Sequence, residues 1–499
     1  MPILLPAITA AAALANAPVP APSAETPRES DYWRIETIAF PDNVCMEATG
    51  LLPLDANRLM ATNRRGEAWV ITDPWGKAPT FRMAYDGLSE PLGLLAARGW
   101  KGPTDWIYTS QRGELSRMRD DDGDGAVDRL ETVSEAWGIS GNYHEYCFGP
   151  AQDANGDFWL TLNRPFGEEP FGHQDWRGWA VRIDASGKPH WECAGLRSPC
   201  GVAASPEGEI FYTDNQGEWC PTNKLSVLHA GEFHGHPWGI VSAQRPESNV
   251  EYPGDVEAIA KDGLLLPEAM RRIPHLRLPA VWFPYDKMGK SAAGFVWDAT
   301  GGKFGPFTGQ VFVTDQHHAS VMRVALEKVD GEWQGACFPF RSGFQCGIIR
   351  AEWWPDGSLM VGETNRGWGS RGQKPWGIER AVWTGKVPFE ILAMSATPTG
   401  FRLTFTQPVD AASAGDPKSY AMTSYTYELH EAYGSAEMDT KPCTVTKATV
   451  APDGRSVELV VEGMRAMYVH ELHAEGVKSA ESLPLLHTEA YYTLNRLPK

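Results

Sequence analysis

The chain has 499 residues, enough for about two or three domains, and its abundant Trp and Gly are those of a globular protein. A net charge of −18 argues against nucleic acid and against an anionic membrane surface as partners. No apolar run is long enough to form a transmembrane segment.

The first residues, MPILLPAITAAAALANAPVPAPSAETP, read as an export signal and spacer over residues 1–30. That predicts a periplasmic or secreted protein. One phrase then repeats: an apolar start, a turn with Asp, Asn or Gly, and β-rich runs. Copies begin at Gly50, Leu92, Tyr146, Gly201, Gly294 and Ile348. Turns such as PEGE, PDGS and ANGD supply residues tolerant of positive φ, which is hairpin chemistry. A lone hairpin cannot bury its apolar face, so the copies predict an all-β, six-bladed β-propeller over residues 31–387. Seven blades stay possible, because the stretch from Pro246 to Leu278 is unassigned and reads as an inserted loop with a helical EAMRRI.

After the second copy the chain reads DDDGDGAVDRLE. Asp120, Asp122, Asp124, Asp128 and Glu131 fall at positions 1, 3, 5, 9 and 12 of an EF-hand-type loop, with Gly125 at the sharp turn. The flanks look like strands, so this reads as a structural calcium clip. Eight Cys contain no CxxC or CxxCH; Cys193/Cys200 and Cys337/Cys346 fit either small disulfide loops or isolated thiols. From about residue 388 to 499 alternating runs lack the blade phrase, which predicts a C-terminal β-sandwich of Ig-like type.

Propeller function sits where loops converge on the central channel. His144 and Glu145 open the third copy, and Arg197 opens the fourth. Asp214, Asn215 and Gln216 end a strand there; Asp315, Gln316, His317 and His318 end the matching strand of the fifth copy. Arg350 starts the sixth copy, and Glu363, Asn365 and Arg366 end its strand; Lys287 and Lys290 precede the fifth. Taken singly these are turn residues; together they predict a functional rim. His234 and His236 (FHGHPWG) are a further, weaker metal-binding pattern.

The phrases GLRSPCGVAASPEGEIFYTDNQGEW, KLSVLHAGEFHGHPWG and GACFPFRSGFQCGIIR with ETNRGWGSRG resemble the soluble glucose/sorbosone dehydrogenase superfamily, six-bladed propellers that use pyrroloquinoline quinone (PQQ). They look closest to its planctomycete-type, membrane-bound-dehydrogenase branch. The resemblance implies that His144 is the base that takes the substrate hydroxyl proton, and that Arg197 contacts the quinone. It places Gln216 and Gly217 where main-chain carbonyls hold a second, cofactor-bound calcium, with Arg350 and Arg366 as cofactor contacts. Asp315 and His317 stand near the place of the family's cofactor-binding Lys, and Gly217-Glu218 replaces its usual Gly-Pro.

Three functions compete at this level. The first is a PQQ-dependent sugar or polyol oxidoreductase, taking a small-molecule or oligosaccharide substrate and an external electron acceptor. The second is a metal-dependent carbohydrate lyase or hydrolase in which His144 works with His317 or His318. The third is a non-catalytic carbohydrate-binding propeller with Trp219 and Trp368 stacking on sugar.

Overall fold

The computed structural model describes residues 26–167 and 174–499. The export segment therefore lies almost wholly outside the described residues. The fold is all-β. Five antiparallel four-stranded sheets, a two-stranded pair and one eleven-stranded sheet build a propeller-like body. The eleven-stranded sheet begins with a four-strand meander of the same kind, Ala292–Trp297, Val311–Asp315, Ser320–Val329 and Glu332–Arg341. The hairpin turns lie where the repeated phrase put them: Gly208 (φ 87°) joins Gly201–Ala204 to Ile210–Asp214, and Gly357 (φ 93°) joins Ile348–Trp353 to Leu359–Thr364.

Second strands such as Phe158–Leu162, Ile210–Asp214 and Val311–Asp315 are buried at every position. Each is covered on both faces by neighbouring sheets, so its sequence runs apolar instead of alternating. Hydroxyl groups stitch one sheet to the next: Ser110 Oγ donates to Gly149 O (2.9 Å), Thr161 Oγ1 to Pro199 O (3.1 Å) and Thr213 Oγ1 to Ala293 O (2.7 Å).

The first strands stand side by side around an axis. Ala48–Pro53 lies beside Ile348–Trp353, which lies beside Ala292–Trp297, then Gly201–Ala204, then Cys147–Gln152. Gly50, Gly93, Gly149, Gly201 and Gly294 occupy one position in five of these starts. A Cβ at Gly93 would lie 2.1 Å from Gly149 O, and one at Gly201 2.4 Å from Ala293 O. The absent side chains let the strands close up.

The sixth start has Arg350 at that position. Its guanidinium fills the axis and donates to four main-chain carbonyls: Thr49 (2.8 Å), Leu92 (2.9 Å), Cys200 (3.0 Å) and Ile349 (2.7 Å).

Trp33–Thr37 completes the last sheet by pairing with Trp376–Trp383. Trp33 is fully buried among Phe304, Phe307 and Phe340, and its Nε1 donates to Phe304 O. Burial of that one ring contributes about 2–3 kcal/mol to closing the ring of sheets. Repeat reading missed this strand because its partner lies more than 300 residues away, and no local signal marks such a pairing.

The segment from 246 to 278 is an insertion between the third and fourth strands of one sheet, Asn223–Val227 and Val281–Phe283. It carries the helices Val256–Ile259 and Leu266–Arg272, and its Leu264–Leu265 pairs with Glu428–Leu429. The C-terminal strands continue the eleven-stranded sheet, because Glu489–Leu494 pairs with Glu332–Arg341. The long strand Met438–Val450 pairs first with Ala421–Thr426 and then with Ser456–Glu462, turning the sheet over a core of Phe401, Leu403, Met422, Leu459, Leu472 and Tyr492. All eight cysteines are free thiols, so neither Cys193/Cys200 nor Cys337/Cys346 is bridged. Among the described residues no helix is long and apolar enough to cross a membrane.

Candidate active site

At the end of the ring where the second strands finish, a cavity of about 270 Å³ opens to solvent. Its floor is apolar: Leu92, Phe148, Cys200 and Ile349, with Arg350 beneath. Four cationic side chains line it, Arg64, Arg197, Lys290 and Arg366, and among the described residues no Asp or Glu does. In a chain of net charge −18 this is a strongly local inversion of sign. Arg64 is paired with Glu90 (2.8 Å) and Arg197 with Glu218 (2.9 Å); Arg366 has no ion-pair partner among the described residues, and the Lys290 ammonium has only the half-exposed Asp286 at 3.8 Å.

One device, used twice, puts cations on this wall. Arg197-Ser198-x-x-Gly201 and Lys290-Ser291-x-x-Gly294 are equivalent stretches. The buried Asp214 carboxylate accepts Arg197 N (3.0 Å) and Ser198 N (2.7 Å), and buried Asp315 accepts Lys290 N and Ser291 N (both 2.7 Å). The clamped amides hold both pairs of side chains on the cavity.

His144 is buried on the same wall, stacked on Phe166 with centroids 3.4 Å apart. Its Nδ1 is 2.7 Å from Arg164 O. A carbonyl only accepts, so Nδ1 carries the proton and Nε2 the lone pair. Ser198 Oγ, 3.2 Å away, donates to Nε2. Burial pushes the His144 pKa down to about 3; the bond to Arg164 O opposes this, and the Arg197, Arg164 and Arg112 guanidiniums add to it.

Arg197 lies between Phe166 (4.8 Å) and Tyr433 (5.3 Å), and its Nε and Nη2 donate to Glu218 Oε2 (3.0 and 2.9 Å). Arg164 donates to the same oxygen (2.7 Å). The close fit requires Gly217, where a Cβ would fall 1.8 Å from Arg197 Cζ.

No protein-family model and no curated protein matches the chain. Solved structures do. It is similar to an oxidoreductase (glucose dehydrogenase) from Thermus thermophilus at 17% identity, covering 70% of this chain and 100% of that one, with a TM-score of 0.47. It is similar to the PQQ-bound aldose sugar dehydrogenase of Streptomyces coelicolor (13% identity, 70% and 98% covered, TM-score 0.45). A third is the holo PQQ domain of pyranose dehydrogenase from Coprinopsis cinerea (12% identity, 72% and 99% covered, TM-score 0.47). With TM-scores below 0.5, these likenesses decide neither the activity nor the site residues of this chain, and they do not reach the planctomycete-type branch.

Of the residues expected at the site, His144, Arg197, Asn215, Gln216, Lys290, Gln316, Arg366 and Trp368 share the cavity. The others go elsewhere. Asp315 is the clamp just described, its second oxygen taken by His318 N (2.7 Å). His317 is not on the cavity wall; its Nδ1 bonds Gly369 O (2.7 Å). Arg350 is the axial pin and does not line the cavity: four carbonyls hold its guanidinium beneath the floor. The Gly217 carbonyl already accepts Gly434 N (3.0 Å) and Cys220 N (3.2 Å), so it is no ready seat for a second calcium. Lys287 turns away to Glu437 and Glu471 (2.7 Å each), and Trp219 is buried, not on the rim. His318 is held by Asp286 (2.9 Å).

In the acidic loop, one oxygen each of Asp120, Asp122 and Asp124 gather within 4.8 Å of one another. Asp128 instead accepts Asp121 N (2.8 Å). Glu131 lies in the strand Arg129–Ser134 and pairs with Arg117 (2.6 Å), its cross-strand partner. A strand, not a helix, follows the loop, so the last position never folds back.

Sequence reading missed Arg64, Tyr143, Asn163, Phe166, Ser198 and Tyr433. Arg64 had a signal: ATNRRG ends a strand of the first sheet as ETNRGW does in the last. Asn163 stands at the strand-end position of Asn215 and Gln316. Tyr433, from the C-terminal region, had none.

Proposed function

We propose that the chain is a sugar or polyol oxidoreductase of the PQQ-dependent type, built on a six-bladed propeller. The meander that opens the eleven-stranded sheet is its fifth blade, and the C-terminal strands form a β-sandwich joined to it. What carries this reading is the convergence of His144, Arg197, Lys290 and Arg366 on one cavity that no Asp or Glu lines among the described residues. A tricarboxylate quinone needs cationic partners. Lys290 and Arg366 supply them, with Arg197 and Arg64, though already paired with Glu218 (2.9 Å) and Glu90 (2.8 Å), beside them on the wall. The calcium expected beside the quinone does not fit at Gly217, whose carbonyl is already engaged.

When bound, the quinone supplies a two-electron acceptor for hydride. The protein's own part is proton handling and orientation. His144 Nε2 takes the hydroxyl proton, and Phe166 with Arg164 O fixes the ring for it. Ser198 gives up its bond to Nε2 when a substrate hydroxyl arrives. An external acceptor then carries the electrons away.

The metal-dependent lyase or hydrolase reading finds one His and no carboxylate on the cavity wall among the described residues. We further read a structural calcium held by Asp120, Asp122 and Asp124, and export through residues 1–30.

Purified protein with PQQ, calcium, a dye acceptor and a sugar panel tests the reading. Dye reduction is expected, with His144→Ala lowering it about 100-fold or more and Arg366→Ala weakening quinone binding. No dye reduction on any sugar, with no binding of PQQ, would refute it.

A further inference from the structure

We propose that the mouth of the cavity is a saccharide subsite built by Tyr143, Trp368 and Tyr433. The substrate is then an oligosaccharide whose terminal unit enters the cavity while the next lies on these rings. This names the substrate class of the oxidoreductase reading and rests on it for chemistry, though not for binding.

Four aromatic residues are strongly exposed among the described residues: Tyr143 (61%), Tyr433 (54%), Trp368 (42%) and Tyr252 (39%). Three of the four line this one cavity. Exposed rings gathered at one opening mark a binding surface. They come from distant parts of the chain, so local sequence accounts for none of the gathering.

Tyr433 is delivered across the structure. Its loop is pinned to the propeller by Trp219 N to His430 O (2.9 Å), Gly434 N to Gly217 O (3.0 Å) and Ser435 N to Pro221 O (2.9 Å). Gly434 packs on Gln216, itself a cavity residue. A loop needed only to attach the C-terminal strands has no reason to leave a tyrosine open at the mouth.

The rings lead inward. Tyr143 is 6.3 Å from Phe166, which stacks on His144 at 3.4 Å. A unit lying on Tyr143 is therefore adjacent to one that faces the base. Between the platforms stand polar groups, not apolar ones: Asn215, Gln216, Gln316 and Ser291. Rings that meet C–H faces, separated by amides that meet hydroxyls, suit a sugar chain. An apolar peptide or a lipid would want one continuous apolar patch.

The test is direct binding to the full chain, without quinone or dye, by titration calorimetry. The probes are cellohexaose, xylohexaose and mannohexaose, each against its monosaccharide. At least one hexaose should bind about tenfold or more tighter than its monosaccharide. Trp368→Ala and Tyr433→Ala should each weaken that hexaose about tenfold, with Tyr433→Phe retaining affinity and circular dichroism showing an intact fold. Equal affinity of hexaose and monosaccharide across the panel overturns the proposal, as does hexaose binding unchanged in the Trp368→Ala/Tyr433→Ala double variant. Dye reduction with no length dependence sinks this subsite and leaves the oxidoreductase standing; length-dependent binding with no dye reduction does the reverse.

Discussion

Arg350 stands where five other strand starts carry glycine, and that exchange decides its role. The glycines let neighbouring strands close up on one another; the arginine instead reaches across to the carbonyls of Thr49, Leu92, Cys200 and Ile349. Its positive charge is met by carbonyl dipoles and by the Phe148 ring at 5.0 Å, and burial pulls its pKa down. Its removal leaves up to four acceptors unpaired. Arg350→Ala is therefore expected to destabilise the fold by about 3 kcal/mol, measured by urea unfolding. Arg350→Lys should recover little, since an ammonium cannot reproduce the planar fork. Unchanged stability in the Ala variant would show that water replaces the pin at no cost. Sequence alone identified an Arg at a strand start near the channel. It could not say that the side chain points along the axis and below the cavity floor.

The strand ends show a similar lesson at the scale of elements. Along each second strand, successive side chains face opposite ways. Asp214, Asp315 and Glu363 share one parity and turn into the protein; Asn215, Gln316 and Thr364, one residue later, line the cavity. The repeat located all these positions, but not which parity faces the axis. Asp315→Ala should cost about 2–4 kcal/mol, because Lys290 N and Ser291 N lose their acceptor. Gln316→Ala should change stability by less than about 0.5–1 kcal/mol while altering ligand affinity. Thermal unfolding of the pair separates clamp from contact. The acidic loop follows the same logic: its first turn forms as spelled, and its last position is claimed by strand pairing. With a dissociation constant of about 0.1–1 mM, 10 mM calcium should stabilise the protein by about 1.4–2.7 kcal/mol. Asp122→Ala should abolish most of that gain. Identical melting in EDTA and in calcium would remove the site.

At the scale of the molecule, the first and last segments are tied together. His487 sits between Glu390 (2.7 Å) and Glu29 (3.1 Å). Burial alone would lower the His487 pKa, but the two carboxylates overcome it and push it up to about 10. Burial likewise raises Glu29, while bonds from His487 and Ser342 bring it down to about 2. The His487 contribution is complete below its unfolded pKa of about 6.5 and is lost as pH rises toward 10. The Glu29 contribution is complete above its ordinary value of 4.5 and is lost as pH falls toward 2. His487→Gln should therefore lower Tm by about 3 °C at pH 6, with the difference from wild type shrinking by half or more at pH 10. A pH-independent difference would assign His487 a packing role only.

Length, turn chemistry and the repeated phrase determined an all-β chain of hairpin modules, the place of His144 and Arg197 at module starts, and the first turn of the acidic loop. These are local properties, set by side-chain period, by glycine and by the spacing of carboxylates. Tertiary structure alone decided that Trp33–Thr37 closes the last sheet, that Arg350 pins the axis, that Lys290 joins Arg197 on one wall and that Tyr433 reaches the mouth from the C-terminal region. Each depends on contacts between segments far apart in sequence, where side-chain direction follows from how sheets stack around an axis, and no local pattern encodes that.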